Sequence, residues 1–177
     1  MPVAASLPAY GHVTQEAVQC IAQASSRYEV PELLLHAIIK KENGRMSKCS
    51  KNTNGTYDCG YAQINSGWVK EFSKYGITQS HITNDTCTNV SASAYVLKDY
   101  FQQKKGKWFD AIVAYNIGPN KWTKDRYAIG YRYATDVVQY WWEFQKYVDA
   151  VQTYGGSTSA ASATQGVGPK VFRSDIE

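Results

Sequence analysis

The 177-residue chain predicts a mostly α, α+β fold: a single helical domain with one small β-hairpin element. Three observations point there. Apolar residues recur at helical spacing over most of the length, the pattern of half-buried helices. The exception, residues 45–60, is rich in Lys, Ser, Asn, Thr and Gly, and its Asn54-Gly55 pair is a strong tight-turn signal. Hydrophobic residues make up 44% and charged residues 19%, the balance of a globular chain able to bury a core.

Residues 1–13 read as an irregular lead-in. Thr14 is placed to cap a first helix whose stripe is Ala17, Val18, Ile21 and Ala24. Pro31 stands where a helix-opening proline belongs, ahead of Leu33 to Ile39, and Gly44 is the expected C-terminal cap of that second helix. A short helix is expected from Gly67 to Lys74. Asn89 then reads as the cap of a helix bearing Val90, Ala94, Leu97 and Phe101 on one face. Another helix runs from about Trp108 to Asn116 and stops at Gly118-Pro119. The last carries Tyr133, Val137, Tyr140 and Trp141 towards Val151, with a break expected near Gly130. The composition then turns to Gly, Ser, Ala and Thr, which bury too little apolar surface to offset ordering entropy. The organisation expected is a lead-in over 1–13, one domain over 14–152 and a flexible tail over 153–177.

Composition removes several function classes. The net charge is +4, and Lys104, Lys105 and Lys107 form the only short basic cluster, so the concentrated basic face of a nucleic-acid binder is missing. A mild positive field suits an acidic polymer. Fourteen Tyr and five Trp are compatible with a sugar-binding groove. No stretch is long and apolar enough to span a membrane. Met1 to Tyr10 has neither a cationic start nor a long apolar run, so no signal peptide is read there. The four cysteines, Cys20, Cys49, Cys59 and Cys87, contain no CxxC pair. Two disulfides and an oxidising compartment, periplasmic or extracellular, are expected, with three pairings open. His12, His36 and His81 lack metal-ligand spacing, so neither metal nor cofactor is expected, and a zinc hydrolase is disfavoured.

Glu42 decides the reading. It lies four residues after Ile38, three after Ile39 and seven after Leu35, and so shares their apolar stripe, while Lys40 and Lys41 point elsewhere. Burial disfavours an ionised carboxyl, and a raised pKa is what a general acid needs near neutral pH. Downstream come Tyr57-Asp58-Cys59-Gly60-Tyr61-Ala62-Gln63-Ile64-Asn65-Ser66 and, later, Ala114-Tyr115-Asn116-Ile117-Gly118-Pro119.

This ordered set, over roughly residues 14–145, resembles the lytic transglycosylase family of the lysozyme-like superfamily. That family carries a Glu at a helix end, a Gly-x-x-Gln segment, an Ala-Tyr-Asn-x-Gly segment and a late Tyr. The resemblance is closest to the small specialised members that accompany secretion, conjugation and pilus machines. It implies a lysozyme-like fold with the hairpin beside a cleft, and cleavage of the MurNAc-β-1,4-GlcNAc bond of peptidoglycan to a 1,6-anhydro sugar. Glu42 would be acid and base, Gln63, Tyr115 and Asn116 would hold the glycan, and Tyr133 would orient Glu42. The secretion-associated members imply the pairings Cys20–Cys87 and Cys49–Cys59. A monomer acting on glycan strands, with a type III or type IV secretion, conjugation or pilus apparatus as possible partner, follows from the same resemblance. Asn43, where the family usually has Ser, and Tyr61-Ala62, where Leu/Ile-Met is usual, depart from the pattern.

The segment from Asp58 to Ser66 also resembles chicken-type lysozymes, in which an Asp two residues before the Gly is the second carboxylate. Asp58 is in that place, sixteen residues after Glu42, and gives a hydrolase as the alternative. A non-catalytic peptidoglycan-binding module is the alternative from another class; a half-buried carboxylate argues against it, since binding alone has no use for one.

Overall fold

The computed structural model describes residues 7–155 and is mostly helical, with a small antiparallel sheet. The chain forms two compact units, Pro8–Val96 and the stretch from Leu97 onward, the latter with Leu7.

In the first unit, helix α1 (Gln15–Tyr28) starts where Thr14 Oγ1 accepts from the Ala17 N–H at 3.2 Å. It ends at Glu29, whose left-handed backbone (φ 54°) returns its N–H to the Ser25 carbonyl. Helix α2 (Glu32–Glu42) follows Pro31 and packs on α1. Leu34, Leu35, Ile38 and Ile39 are all fully buried, and each contributes about 1.5–3 kcal/mol. That burial fixes the rotation of α2 and leaves Glu42 at the edge of the buried stripe, half-exposed. Asn43 caps the helix with a left-handed φ of 51° and its N–H on the Ile39 carbonyl. The cap expected at Gly44 is therefore one residue earlier; Asn tolerates this conformation better than the family's Ser.

Three short strands follow: β1 (Cys49–Lys51), β2 (Tyr57–Cys59) and β3 (Ile64–Asn65), in that order and antiparallel. The registers are Cys49 opposite Cys59 and Asp58 opposite Asn65. The β1–β2 loop closes through Asn52 N–H to the Thr56 carbonyl at 2.8 Å, with Gly55 at φ +85°. The third strand is beyond the hairpin expected from sequence. Cys49–Cys59 bridges the hairpin, and Cys20–Cys87 ties α1 to the start of α5 (Thr86–Gln103).

The helix expected over Gly67–Lys74 is α3 (Val69–Phe72) flanked by 3-10 turns at Ser66–Trp68 and Ser73–Tyr75. Trp68, Phe72 and Tyr95 pack ring against ring there, with centroids 5.4–6.2 Å apart. Helix α4 (Gln79–Asn84), unforeseen in the sequence, is held by a reciprocal cap between Thr78 and His81.

In the second unit, α6 (Trp108–Ile117) packs along α7 (Lys124–Gly155). The break expected at Gly130 does not occur. A Cβ there would come within 2.8 Å of Val113 Cγ1 and 3.0 Å of Ile117 Cδ1, so this glycine serves helix–helix approach. Helix α7 also passes Val151 and includes residues 153–155; the rest of the expected tail lies outside the described residues. Among the described residues no helix is long and apolar enough to cross a membrane.

The cap of α5 is Asp85, whose Oδ1 accepts the Thr88 N–H at 2.6 Å, and not Asn89. Hydrogen bonds from the Thr88 hydroxyl and N–H hold the Asp85 carboxyl below its ordinary value. Asn89 is instead fully buried in the first turns of the helix. Its Nδ2 donates to the Cys59 and Ile82 carbonyls at 2.9 and 2.8 Å, and its Oδ1 accepts from the Ala62 N–H at 3.0 Å. Stranding buried backbone groups costs about 1–3 kcal/mol each, whereas losing an exposed cap costs about 1 kcal/mol. Denaturant titration should accordingly find N89A destabilised by roughly 3 kcal/mol or more and D85A by about 1 kcal/mol. Equal losses would return Asn89 to a capping role. The Asp85 contribution should be complete above the ordinary carboxylate range and vanish as acid protonates it through its lowered value.

Candidate active site

Glu42 is the last residue of α2, and the backbone beyond it is unusually crowded. A Cβ at Gly44 would lie 2.0 Å from the Gly60 carbonyl oxygen, 2.9 Å from that of Tyr61 and 2.6 Å from Gln63 Nε2. Any side chain at position 44 would thus overlap backbone, which cannot swing aside. The Gly60–Gln63 turn consequently sits directly on the chain two residues after Glu42.

The turn is fixed from its other side as well. Gly60 adopts φ +74°, and a Cβ there would be 2.2 Å from Asn89 Nδ2. Gln63 is itself left-handed (φ 49°), with both its N–H and its side-chain Nε2 donating to the Gly60 carbonyl, at 3.2 and 2.9 Å. Gln63 is half-buried. Holding a non-glycine residue in this conformation is mildly costly, and such positions gather at functional sites.

His12, which sequence reasoning left without a role, braces the same place. Its Nε2 is 2.6 Å from the Gly44 carbonyl, and its ring stacks on Tyr61 with centroids 5.7 Å apart. The Tyr61 hydroxyl donates to the His12 carbonyl at 3.1 Å. An aliphatic residue at position 61 would lose that bond, which is a physical reason for this chain's departure from the family's Leu or Ile. The lead-in is anchored again by Tyr10, whose hydroxyl is 2.8 Å from Nδ1 of the fully buried His36. Burial pushes the Tyr10 phenol well above its ordinary pKa.

Asp58 faces its strand neighbours. Asn52 Nδ2 donates to one carboxylate oxygen at 2.9 Å and Asn65 Nδ2 to the other at 2.8 Å. Both amides also donate to Thr56 Oγ1, which closes a small polar network in the sheet. Among the described residues no group of three or more His, Cys, Asp and Glu is gathered to hold a metal ion.

Tyr115, Asn116 and Tyr133 lie in the second unit. Tyr115 is half-buried and Asn116 exposed in the last turn of α6, while Tyr133 on α7 is 7% exposed. Helix α6 stops because Gly118 takes φ 80°, ψ 161°, a conformation open essentially to glycine alone. Beyond it, Arg126 Nη2 donates to the Ile117 carbonyl, Trp122 Nε1 to that of Gly118 at 2.7 Å, and Lys104 Nζ to that of Pro119 at 2.6 Å. No sequence pattern announced these contacts. The structure thus gathers Gln63, Asp58 and the end of α2 in one unit, and Tyr115, Asn116 and Tyr133 in the other.

The chain is 33% identical over 120 residues to protein IpgF of Shigella flexneri, covering 67% of this chain and 76% of that protein. It is 35% identical over 107 residues to an X polypeptide of Escherichia coli, covering 60% of this chain and 63% of that one. It is 30% identical over 128 residues to the invasion protein IagB of Salmonella typhimurium, covering 72% and 76%. Its fold matches an inactive mutant of lytic transglycosylase Slt from Pseudomonas aeruginosa with a TM-score of 0.58 at 20% identity. That match takes in 75% of this chain and 24% of the other, so the chain spans about a quarter of that enzyme. The Transglycosylase SLT domain family matches residues 19–135, and the chain belongs to that family.

Proposed function

We propose that this protein is a peptidoglycan lytic transglycosylase with Glu42 as its acid/base. The observation that carries the reading is the position of Glu42. It is a half-exposed carboxyl ending a fully buried stripe, and two residues beyond it stands a glycine, Gly44, against which the Gly60–Gln63 turn is packed. A reacting carboxyl gains most from a rigid surround, because placement is a large share of catalytic power.

In this mechanism the protonated Glu42 donates to the glycosidic oxygen as the bond between MurNAc C1 and that oxygen breaks, through an oxocarbenium-like state. The resulting Glu42 carboxylate then takes the proton from the sugar's own C6 hydroxyl, whose oxygen closes on C1. The product is 1,6-anhydroMurNAc and no water is consumed. Gln63, Tyr115 and Asn116 hold the glycan by hydrogen bonds; Tyr133, being buried, orients from within the protein. The two disulfides support a periplasmic or extracellular site of action. Similarity to an invasion protein supports local opening of the wall for a secretion or conjugation apparatus.

One observation favours a second reading. Asp58 is fixed through both oxygens by Asn52 and Asn65, and a firmly held second carboxylate is what a retaining hydrolase needs.

Mass spectrometry of products from purified peptidoglycan separates the two. Anhydro ends, one water lighter, are expected; reducing ends would establish the hydrolase and give Asp58 the second catalytic role. Removing a general acid typically costs about 10²–10⁴-fold, so E42Q should lose at least about a hundredfold in turnover while still co-sedimenting with insoluble peptidoglycan. Turnover at the wild-type rate would remove Glu42 from the mechanism.

A further inference from the structure

We infer that Lys104, with Trp122 and Arg126, forms a clamp that positions Asn116 and Tyr115 for the glycan; the inference rests on the substrate reading above. The last carbonyls of an α-helix have no partner within the helix and carry its partial negative charge. At the end of α6 three side chains take three successive carbonyls, that of the helix's last residue and those of the two residues just beyond it: Arg126 on Ile117, Trp122 on Gly118 and Lys104 on Pro119. They come from separate places, Lys104 from just beyond α5, Trp122 from the α6–α7 connection and Arg126 from the first turn of α7.

The three are also joined to one another. The Lys104 ammonium sits 3.6 Å from the centre of the Trp122 ring, a close cation–π contact, while it donates to Pro119. Tyr127 packs on Trp122 with ring centroids 5.6 Å apart. Thr123 starts α7 by accepting the Arg126 N–H on its hydroxyl and the Tyr127 N–H on its carbonyl. Within this frame the Gly118 N–H returns to the Ala114 carbonyl at 2.8 Å. The backbone on both sides of Asn116 is therefore tied down, although Asn116 itself is exposed. An exposed amide on a floppy helix end would lose rotational freedom on binding sugar. On a clamped end most of that ordering is already complete, which is how rigidity becomes affinity.

Lys104 is the member to test, because K104M keeps the aliphatic stem and removes the ammonium, whereas K104R keeps a cationic donor. Hydrogen–deuterium exchange over residues 116–123 should rise about tenfold in K104M and stay near wild type in K104R, as expected when a local opening becomes easier. Unchanged exchange in K104M would overturn the clamp. In turnover of purified peptidoglycan, K104M should lose about tenfold in kcat/KM, carried mainly by KM, with K104R restoring it. In an N116A background the same K104M change should have little further effect, since the two act as a unit. A full additional loss in that background would show that Lys104 acts elsewhere, and would overturn the positioning role. An inactive wild type would instead overturn the substrate reading, and the exchange experiment, which needs no turnover, tells that failure apart from failure of the clamp.

Discussion

The backbone at the end of α2 and the turn between Cys59 and Gln63 occupy almost the same space, and much of the first unit is arranged to let them. Gly44 leaves room for the Gly60 carbonyl, and Gly60 leaves room for Asn89. Asn89 in turn bonds three backbone groups from the turn and from α4. Each device compensates for a cost created by the one before it. The consequence for chemistry is that a carboxyl at a helix end, ordinarily a mobile group, is followed by a backbone that cannot relax.

The second unit solves a related problem by other means. Its α6 ends at a glycine in a conformation closed to other residues, and the carbonyls of Ile117, that glycine and Pro119 are taken up by a guanidinium, an indole and an ammonium. Backbone polar groups left over where a helix stops are thus used twice in this chain. At α2 they are covered by an Asn cap and the His12 ring, at α6 by cationic and indole donors. In both places the helix end carries a residue of the proposed chemistry, Glu42 in one and Asn116 in the other.

What could be read from the sequence was local. The stripe of Leu35, Ile38 and Ile39 located Glu42 because helical spacing is a property of neighbouring residues. Thr14 was legible as a cap for the same reason. The ordered Glu, Gly-x-x-Gln and Ala-Tyr-Asn-x-Gly segments identified the family. The departures share a cause: in sequence the commonest local meanings of Gly44, Asn89 and Gly130 are cap, cap and breaker. Their real partners are 16 and 19 residues from Gly44, at Gly60 and Gln63, and 17 residues from Gly130, at Val113. No window of sequence displays such a contact. His12, Lys104 and Trp122 were passed over likewise, since a lone histidine or lysine carries no periodic signal and acts here through a distant carbonyl.

If the close approach at Gly44 is what holds the reacting carboxyl in place, then steady-state turnover of peptidoglycan by G44A tests the account most directly. The added methyl would overlap the Gly60 carbonyl, so a drop of about tenfold or more in kcat is predicted, with the helical circular dichroism retained. Turnover by a folded G44A within about twofold of wild type would contradict the account, because a misplacement on the scale of an ångström at this point should be felt by the reaction.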